Sequence, residues 1–174
     1  ARKSRGLGDV YKRQDLNTFR KFYGQTVTSF DSKELTAYHN LFVNYCAKIM
    51  DYRLFNGQSS AHNCHESCET IMRAIHQEDS LKLREALFDL KPQVTIGDVL
   101  IEGQPQYKVT KKSIKDIIAE GFNPNKTLNV HVWITLFDGT VFDPTIAATL
   151  VAKKMLPPQE MNSMHIQPFG MVND

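Results

Sequence analysis

The chain has few cysteines and no long apolar run. Its three cysteines, Cys46, Cys64 and Cys68, are an odd number in 174 residues, which excludes a small disulfide-stapled framework. Free thiols suit a reducing compartment and favour the cytoplasm. No apolar run approaches the roughly 20 residues that cross a bilayer, so no membrane association is expected.

Familiar motifs of nucleotide and hydrolase chemistry are also missing. The chain has no P-loop, no GxGxxG, no GxSxG and no HExxH. These absences leave no sign of a nucleotide or of a catalytic metal, so no cofactor is expected.

The composition is typical of a globular protein, with 41% hydrophobic and 23% charged residues. These fractions disfavour disorder, collagen and coiled coil. A chain of this length buries roughly two-thirds of its unfolded surface, which suffices for a core without disulfides. Because no repeat or low-complexity linker interrupts it, the segment 15–174 is interpreted as one domain.

The basic residues are concentrated in the first fourteen positions. Five basic side chains against one acidic give residues 1–14 a charge of +4, which leaves −2 for the other 160 residues. The segment ARKSRGLGDVYKRQ resembles translated sequencing adapter, so we interpret it as a non-native tail. The native start would then be missing, and the C-terminal end is open to truncation. The alternative is a natural basic arm for nucleic acid; without it, no basic aromatic patch supports nucleic-acid binding.

Helical periodicity dominates the first half of the chain. Asp31 followed by Glu34 resembles a capping box, and the apolar residues after Asp31 predict a long helix over 32–54. Turn residues follow, a second helix begins near Cys64, and a third covers 81–87.

Strand patterns take over in the second half, although Ser113 opens a short helix over 114–120. The predicted strands are 94–101, 107–110, 128–137 and 140–143. Gly97 weakens the first strand, and Asp138-Gly139 is a hairpin signal between the last two. Helices followed by a mostly antiparallel sheet indicate an α+β fold.

Three residues with catalytic chemistry lie at the ends of predicted elements. Cys64 follows a turn-rich loop at the start of a helix, where the helix dipole and free amides favour a thiolate. His131 starts one strand and Asp143 ends the next. A thiol nucleophile needs a base, and the base needs an orienting group, which His131 and Asp143 could supply.

The sequence around these residues resembles the transglutaminase-like core of the papain-like cysteine enzymes. That family has Cys at a helix N-terminus, His-x-Trp on one strand and Asp-Pro-Thr on the next, and HVWITLFDGTVFDPT matches the last two. The match covers about 64–78 and 128–146, under a fifth of the chain, and Asn63-Cys64-His65 departs from the family pattern. The resemblance implies a papain-like core with 80–125 inserted over it. It also implies acyl transfer or amide hydrolysis through a thioester on Cys64.

A register conflict stands against the Cys64–His131–Asp143 triad. A two-residue hairpin on Asp138-Gly139 would place Asp143 opposite Ile134, about 10 Å along the strand from His131 and on the other face. The triad therefore requires a wider loop, or a bulge that centres the hairpin near Phe137.

Two further residues complete the predicted site. Gln58 lies six residues before Cys64, a spacing from which the resemblance implies an oxyanion donor beside the Cys64 N–H. Trp133 lies two residues after His131, and the resemblance implies that it shields the histidine. The alternatives are a solvated turn glutamine and an ordinary core aromatic.

A dense group of potential metal ligands surrounds the nucleophile: His62, Cys64, His65 and Cys68. Structural zinc normally joins two ligand pairs separated by a longer loop, whereas these four fall within seven residues. We therefore expect no metal site, and a structural role for Cys68.

The function predicted on these grounds is that of a thiol enzyme acting on a peptide, a protein or a small amide or amine. The rival prediction is a non-catalytic α+β binding or structural domain of the same superfamily. Cys64 would then be a small buried hydrophobe, His131 an ordinary strand residue and Asp143 a cap of the following turn.

Overall fold

The computed structural model describes residues 32–101, 104–120 and 129–167. Three helices come first: α1 (Ser32–Phe55), α2 (Cys64–His76) and α3 (Leu81–Asp89). The helices predicted over 32–54, from near Cys64 and over 81–87 are confirmed. The predicted cap at Asp31 and the adapter-like segment 1–14 lie outside the described residues.

A glycine cap ends α1. Gly57 has φ +73°, and its N–H donates to the Leu54 carbonyl at 2.9 Å. The N–H of Gln58 donates to the Arg53 carbonyl at 3.0 Å. This is the Schellman arrangement, in which a left-handed residue satisfies the last helical carbonyls. It directs the chain into the loop 56–63, which leads to Cys64.

The remaining described elements are mainly short strands. They are β1 (Gln93–Gly97), β2 (Leu100–Ile101), β3 (Gln104–Pro105), α4 (Lys111–Glu120), β4 (His131–Thr135), β5 (Val141–Asp143), α5 (Ile146–Ala152), a short 3-10 helix (Pro158–Glu160) and β6 (His165–Gln167). One antiparallel sheet has the order β1-β4-β5-β6, and β2 pairs with β3 in a separate ribbon. Helices followed by a mostly antiparallel sheet confirm the α+β class.

The strand predicted over 94–101 is wrong as a continuous element. The chain breaks at Asp98, whose carboxylate accepts the N–H of Tyr107 at 2.8 Å and of Val109 at 3.2 Å. This carboxylate folds the chain back on itself, so β1 and β2 belong to different sheets. The strand predicted over 107–110 is also wrong, because its backbone N–H groups donate hydrogen bonds to the Asp98 side chain and not to a neighbouring strand.

The start of α4 differs from the prediction as well. The N–H of Ser113 donates to the Thr110 hydroxyl at 3.0 Å, and the N–H of Thr110 donates to the Ser113 hydroxyl at 2.9 Å. This reciprocal pair is a capping box, which makes Thr110 the cap and places Ser113 inside the first turn.

The main core lies between the first three helices and the sheet. Phe42 of α1 meets Phe142 of β5 edge to face, with ring centroids 5.4 Å apart. Every residue of β4 is buried, as expected for a strand paired on both sides. The Cys68 thiol donates to the Val132 carbonyl at 3.6 Å, so α2 packs directly on the strand that begins with His131.

Candidate functional site

The β4–β5 hairpin determines whether His131 and Asp143 can meet. Ile134 pairs with Phe142, and the N–H of Leu136 donates to the Thr140 carbonyl at 2.9 Å. The loop therefore holds three residues, 137–139. Gly139, at φ +84°, takes the left-handed position that such a loop requires.

This loop shifts the strand pairing by one residue from that of a two-residue hairpin. Continued along the strands, the observed register places Asp143 opposite Trp133. Because side chains alternate between faces, Asp143, Trp133 and His131 all share one face. The wider loop that the triad required is present, although it is centred on Asp138 instead of Phe137.

Contacts from distant parts of the chain hold the three-residue loop. The Asp138 carboxylate accepts the Thr140 N–H at 3.0 Å and lies 2.9 Å from Nε2 of His39 on α1. The N–H of Phe137 donates to the Leu90 carbonyl at 2.9 Å. These contacts tie the turn to the helical half of the protein.

Asp143 uses its two carboxylate oxygens for different partners. Oδ2 lies 2.5 Å from Nε2 of His131, and both side chains are fully buried. Oδ1 accepts the N–H groups of Thr145 and Ile146, each at 3.0 Å. The orienting contact and the turn cap, which the sequence presents as alternatives, are therefore both present.

Cys64 is placed by the packing of α2 and by the loop before it. It is the first residue of α2, where backbone N–H groups lack intrahelical partners, and only 7% of it is exposed. The preceding His62 has φ +61°, and its N–H donates to the Thr149 hydroxyl at 3.2 Å. Cys68, one turn below, anchors the helix to Val132, the residue next to His131.

Asp143 and Cys64 both change the pKa of the His131 imidazole. Burial lowers the pKa of His131, but the charge and hydrogen bond of Asp143, together with the Cys64 thiol, outweigh burial and raise the pKa to about 9. Asp143 occupies Nε2, which leaves Nδ1 for the thiol. Among the described residues, Nδ1 has no partner of regular hydrogen-bond geometry, so the thiol contact is looser than a regular bond.

The other two cysteines lie deep in the core. Burial raises the pKa of the Cys46 thiol and, with the Asp143 charge, that of the Cys68 thiol. Both groups are therefore held as neutral thiols. Cys64 differs in lying at a helix start beside His131.

Trp133 borders the histidine on the sheet. It is 5% exposed, its Nε1–H donates to the Thr135 hydroxyl at 3.2 Å, and its ring centroid lies 6.1 Å from that of His131. The indole covers Gly97 so closely that a Cβ there would lie 2.4 Å from Cη2 of Trp133. Gly97, which weakens the predicted strand, thus makes room for the tryptophan.

Gln58 is exposed, and its backbone belongs to the cap of α1. No contact within the described ranges joins its side chain to Cys64 or His131. Its oxyanion role stays a prediction.

Tyr107 is a neighbour of the site that the sequence analysis missed. Its ring is stacked on His131 with centroids 5.3 Å apart and planes inclined by 20°. Burial, and then the charges of Cys64 and Asp143, raise the pKa of Tyr107 to about 12. Its segment, predicted as a strand, gave no signal of this contact.

The four potential metal ligands near Cys64 do not converge. Cys64 and Cys68 are buried, whereas His62 and His65 are exposed. Across 32–101, 104–120 and 129–167, no three His, Cys, Asp or Glu side chains are placed to hold a metal ion. Nor does any helix in those ranges combine the length and the hydropathy of a membrane span.

Comparisons of the chain with protein-family models, with curated proteins and with solved structures give no match. What the site does is therefore inferred from its own geometry.

Proposed function

We propose that the protein is a thiol enzyme of the transglutaminase-like kind, which transfers acyl groups or hydrolyses amides. Cys64 is the nucleophile, His131 the general base and Asp143 the orienting carboxylate. The observation that carries the proposal is the buried Asp143–His131 hydrogen bond beside a cysteine at a helix N-terminus. A histidine held by a carboxylate activates a neighbouring thiol by taking its proton.

The chemistry starts from the ion pair in which the Cys64 proton has passed to Nδ1 of His131, while Nε2–H donates to Asp143. The thiolate attacks the carbonyl carbon of the substrate, a C–S bond forms, and the carbonyl electron pair moves to oxygen. As the tetrahedral species collapses, the C–N bond breaks and His131 gives its proton to the leaving amine. The products of this half-reaction are a thioester on Cys64 and a free amine.

The second half-reaction restores the enzyme. Water or another amine attacks the thioester carbon, and His131 accepts the proton that the attacking group loses. The C–S bond breaks, sulfur leaves as the thiolate, and the acid or the new amide departs. Water gives hydrolysis and an amine gives transfer.

Backbone donors at the start of α2 support the oxyanion of both tetrahedral species. The N–H of Cys64 is in the first helical turn, where the helix dipole favours negative charge. Gln58, on the loop that leads to Cys64, is the proposed side-chain donor.

Selective alkylation tests the proposal without a known substrate. At pH 6, iodoacetamide should modify Cys64 faster than Cys46 or Cys68, which lie deep in the core, and His131→Gln, which removes the base, should slow Cys64 to the rate of an ordinary thiol. Peptide mass spectrometry after timed quenching gives the three rates, and the urea-unfolded protein, where the three should react alike, is the control. Equal labelling in the folded protein, or none at Cys64, would instead support the non-catalytic domain.

A further inference from the structure

The Tyr107 ring covers the histidine of the proposed site. The two rings are nearly parallel, with centroids 5.3 Å apart. His131 is fully buried, whereas Tyr107 is partly exposed. The phenol ring therefore lies between the imidazole and solvent over part of the site.

Backbone contacts on both sides fix the position of Tyr107. Its N–H donates to the Asp98 carboxylate at 2.8 Å, and its carbonyl accepts from the Asn129 side-chain amide at 2.9 Å. The N–H of the preceding Gln106 donates to the Val99 carbonyl at 2.9 Å. Hydrogen bonds of the backbone therefore fix the turn that carries the Tyr107 ring, although Tyr107 belongs to no β-strand.

The charged and titratable groups around the two rings come from several elements. Asp143 on β5 and Cys64 on α2 act directly on His131. His165 on β6 pairs with Asp143 across the sheet. Lys153, which follows α5, has its Nζ 5.1 Å from the Tyr107 ring centroid. An aromatic face attracts a cation within about 6 Å, and both Lys153 and a charged His131 meet that condition.

We propose that Tyr107 is a positioning residue, whose ring holds the His131 imidazole against Asp143 and stabilises its charged form. The catalytic consequence rests on the proposed function, since a charged His131 is the partner of the Cys64 thiolate. The ring carries the effect, because among the described residues the Tyr107 hydroxyl makes no hydrogen bond to His131 or Cys64.

Two substitutions of Tyr107 separate the ring from the hydroxyl. Tyr107→Phe keeps the stacked ring, and Tyr107→Leu removes it. The measurements are the NMR titration of ¹³C-labelled histidine, with the His131 signal assigned from its loss in His131→Gln, and the alkylation rate of Cys64 against pH. We expect Phe to leave both unchanged. Leu should lower the His131 midpoint by about half a pH unit or more, which is a threefold change in the charged-to-neutral ratio.

Asp98→Ala provides a second route if Tyr107→Leu does not fold. It removes both backbone contacts of the Asp98 carboxylate and should loosen the ring, so the His131 midpoint should shift in the same direction. The proposal would be overturned if Tyr107→Leu and Asp98→Ala lower the melting temperature but leave the titration midpoint of His131 unchanged. So would an equal shift in Tyr107→Phe, because the hydroxyl would then be the acting group.

The same experiment distinguishes failure of this inference from failure of the proposed enzyme. If the His131 midpoint shifts as expected while Cys64 of the unsubstituted protein reacts no faster than Cys46, the Tyr107 role holds and the thiol-enzyme proposal fails. If Cys64 is selectively reactive but neither its pH profile nor the His131 midpoint changes in Tyr107→Leu, the enzyme proposal holds and the Tyr107 role fails.

Discussion

Replacing Asp143 with Asn separates the two contacts of this carboxylate. The amide oxygen of Asn can still accept the N–H groups of Thr145 and Ile146, as Oδ1 does now. The other position becomes an NH₂ group facing Nε2 of His131. The cap of α5 should therefore survive, while the orienting acceptor becomes a donor.

The substitution should also reverse the tautomer of His131. An amide NH₂ donates to Nε2 only when that nitrogen carries no proton, so the neutral ring keeps its proton on Nδ1. Nδ1 is the nitrogen left for the Cys64 thiol. A protonated Nδ1 on a neutral ring cannot take the thiol proton, so the base would be lost even though the ring remains in place.

The expected magnitude follows from the charge on His131. The Asp143 charge and hydrogen bond hold the pKa of His131 at about 9 against the effect of burial. Without that charge, burial should leave the pKa of His131 at or below its ordinary value near 6.5. At pH 7.5 the charged fraction would fall from nearly all of the molecules to about a tenth or less. We therefore expect Cys64 to alkylate at least about tenfold more slowly.

The same shift makes stability depend on pH. A histidine whose pKa is raised on folding adds stability below its unfolded pKa near 6.5, and this is lost as the pH rises through the folded value of about 9. The contribution is at most roughly 3 kcal/mol. The melting temperature of Asp143→Asn should consequently lie furthest below that of the unsubstituted protein near pH 6, with the difference shrinking by pH 9.5.

Asp138→Asn is the matched control for this experiment. Asp138 also pairs with a histidine, His39, and its oxygen also accepts a backbone N–H, that of Thr140. The Asp138→Asn substitution should leave the dependence of the Cys64 alkylation rate on pH unchanged between pH 5.5 and 9.5. An unmoved profile in Asp143→Asn, or the same loss in both variants, would refute the reasoning.

The remaining predictions concern the packing and the turn that shape the site. Gly97→Ala should lower the free energy of unfolding in urea by about 1–3 kcal/mol, because the new Cβ would lie 2.4 Å from Cη2 of Trp133. Adding Trp133→Phe should recover part of that loss, and strictly additive losses would contradict the clash. Asp138→Ala should cost about 1–2 kcal/mol at pH 7, since it removes the acceptor that holds the turn. Burial raises the pKa of Asp138, but the contacts of its carboxylate with His39 and Thr140 outweigh burial and lower the pKa. Its contribution is therefore lost as the pH falls through that lowered value, and a deficit that stays constant down to pH 2 would exclude this explanation.

Several features of the fold are encoded locally and were predictable. The apolar spacing over 32–54 predicts a helix that buries one face, and Gly57 indicates where this helix ends. The order of helices and strands indicates the α+β class, which the structure confirms. Contacts within a few residues along the chain govern each of these features.

The strand predictions over 94–101 and 107–110 failed because a side chain accepts backbone hydrogen bonds that a β-strand partner would otherwise accept. Nothing in the alternation of 94–101 reveals that Asp98 accepts the backbone of Tyr107 and Val109. This carboxylate breaks the strand and brings Tyr107 onto His131. A contact of this kind depends on where the chain returns, which local propensity does not specify.

The sequence by itself determined which chemical groups are present and in what order: a cysteine before a helix, a histidine on one strand and an aspartate on the next. Only the tertiary structure decided their meeting, because Asp138-Gly139 is compatible with a two-residue and with a three-residue turn. Contacts to His39 and Leu90, far away in the chain, accompany the three-residue loop. Side chains alternate between faces, so a slip of one residue would place Asp143 on the face opposite His131.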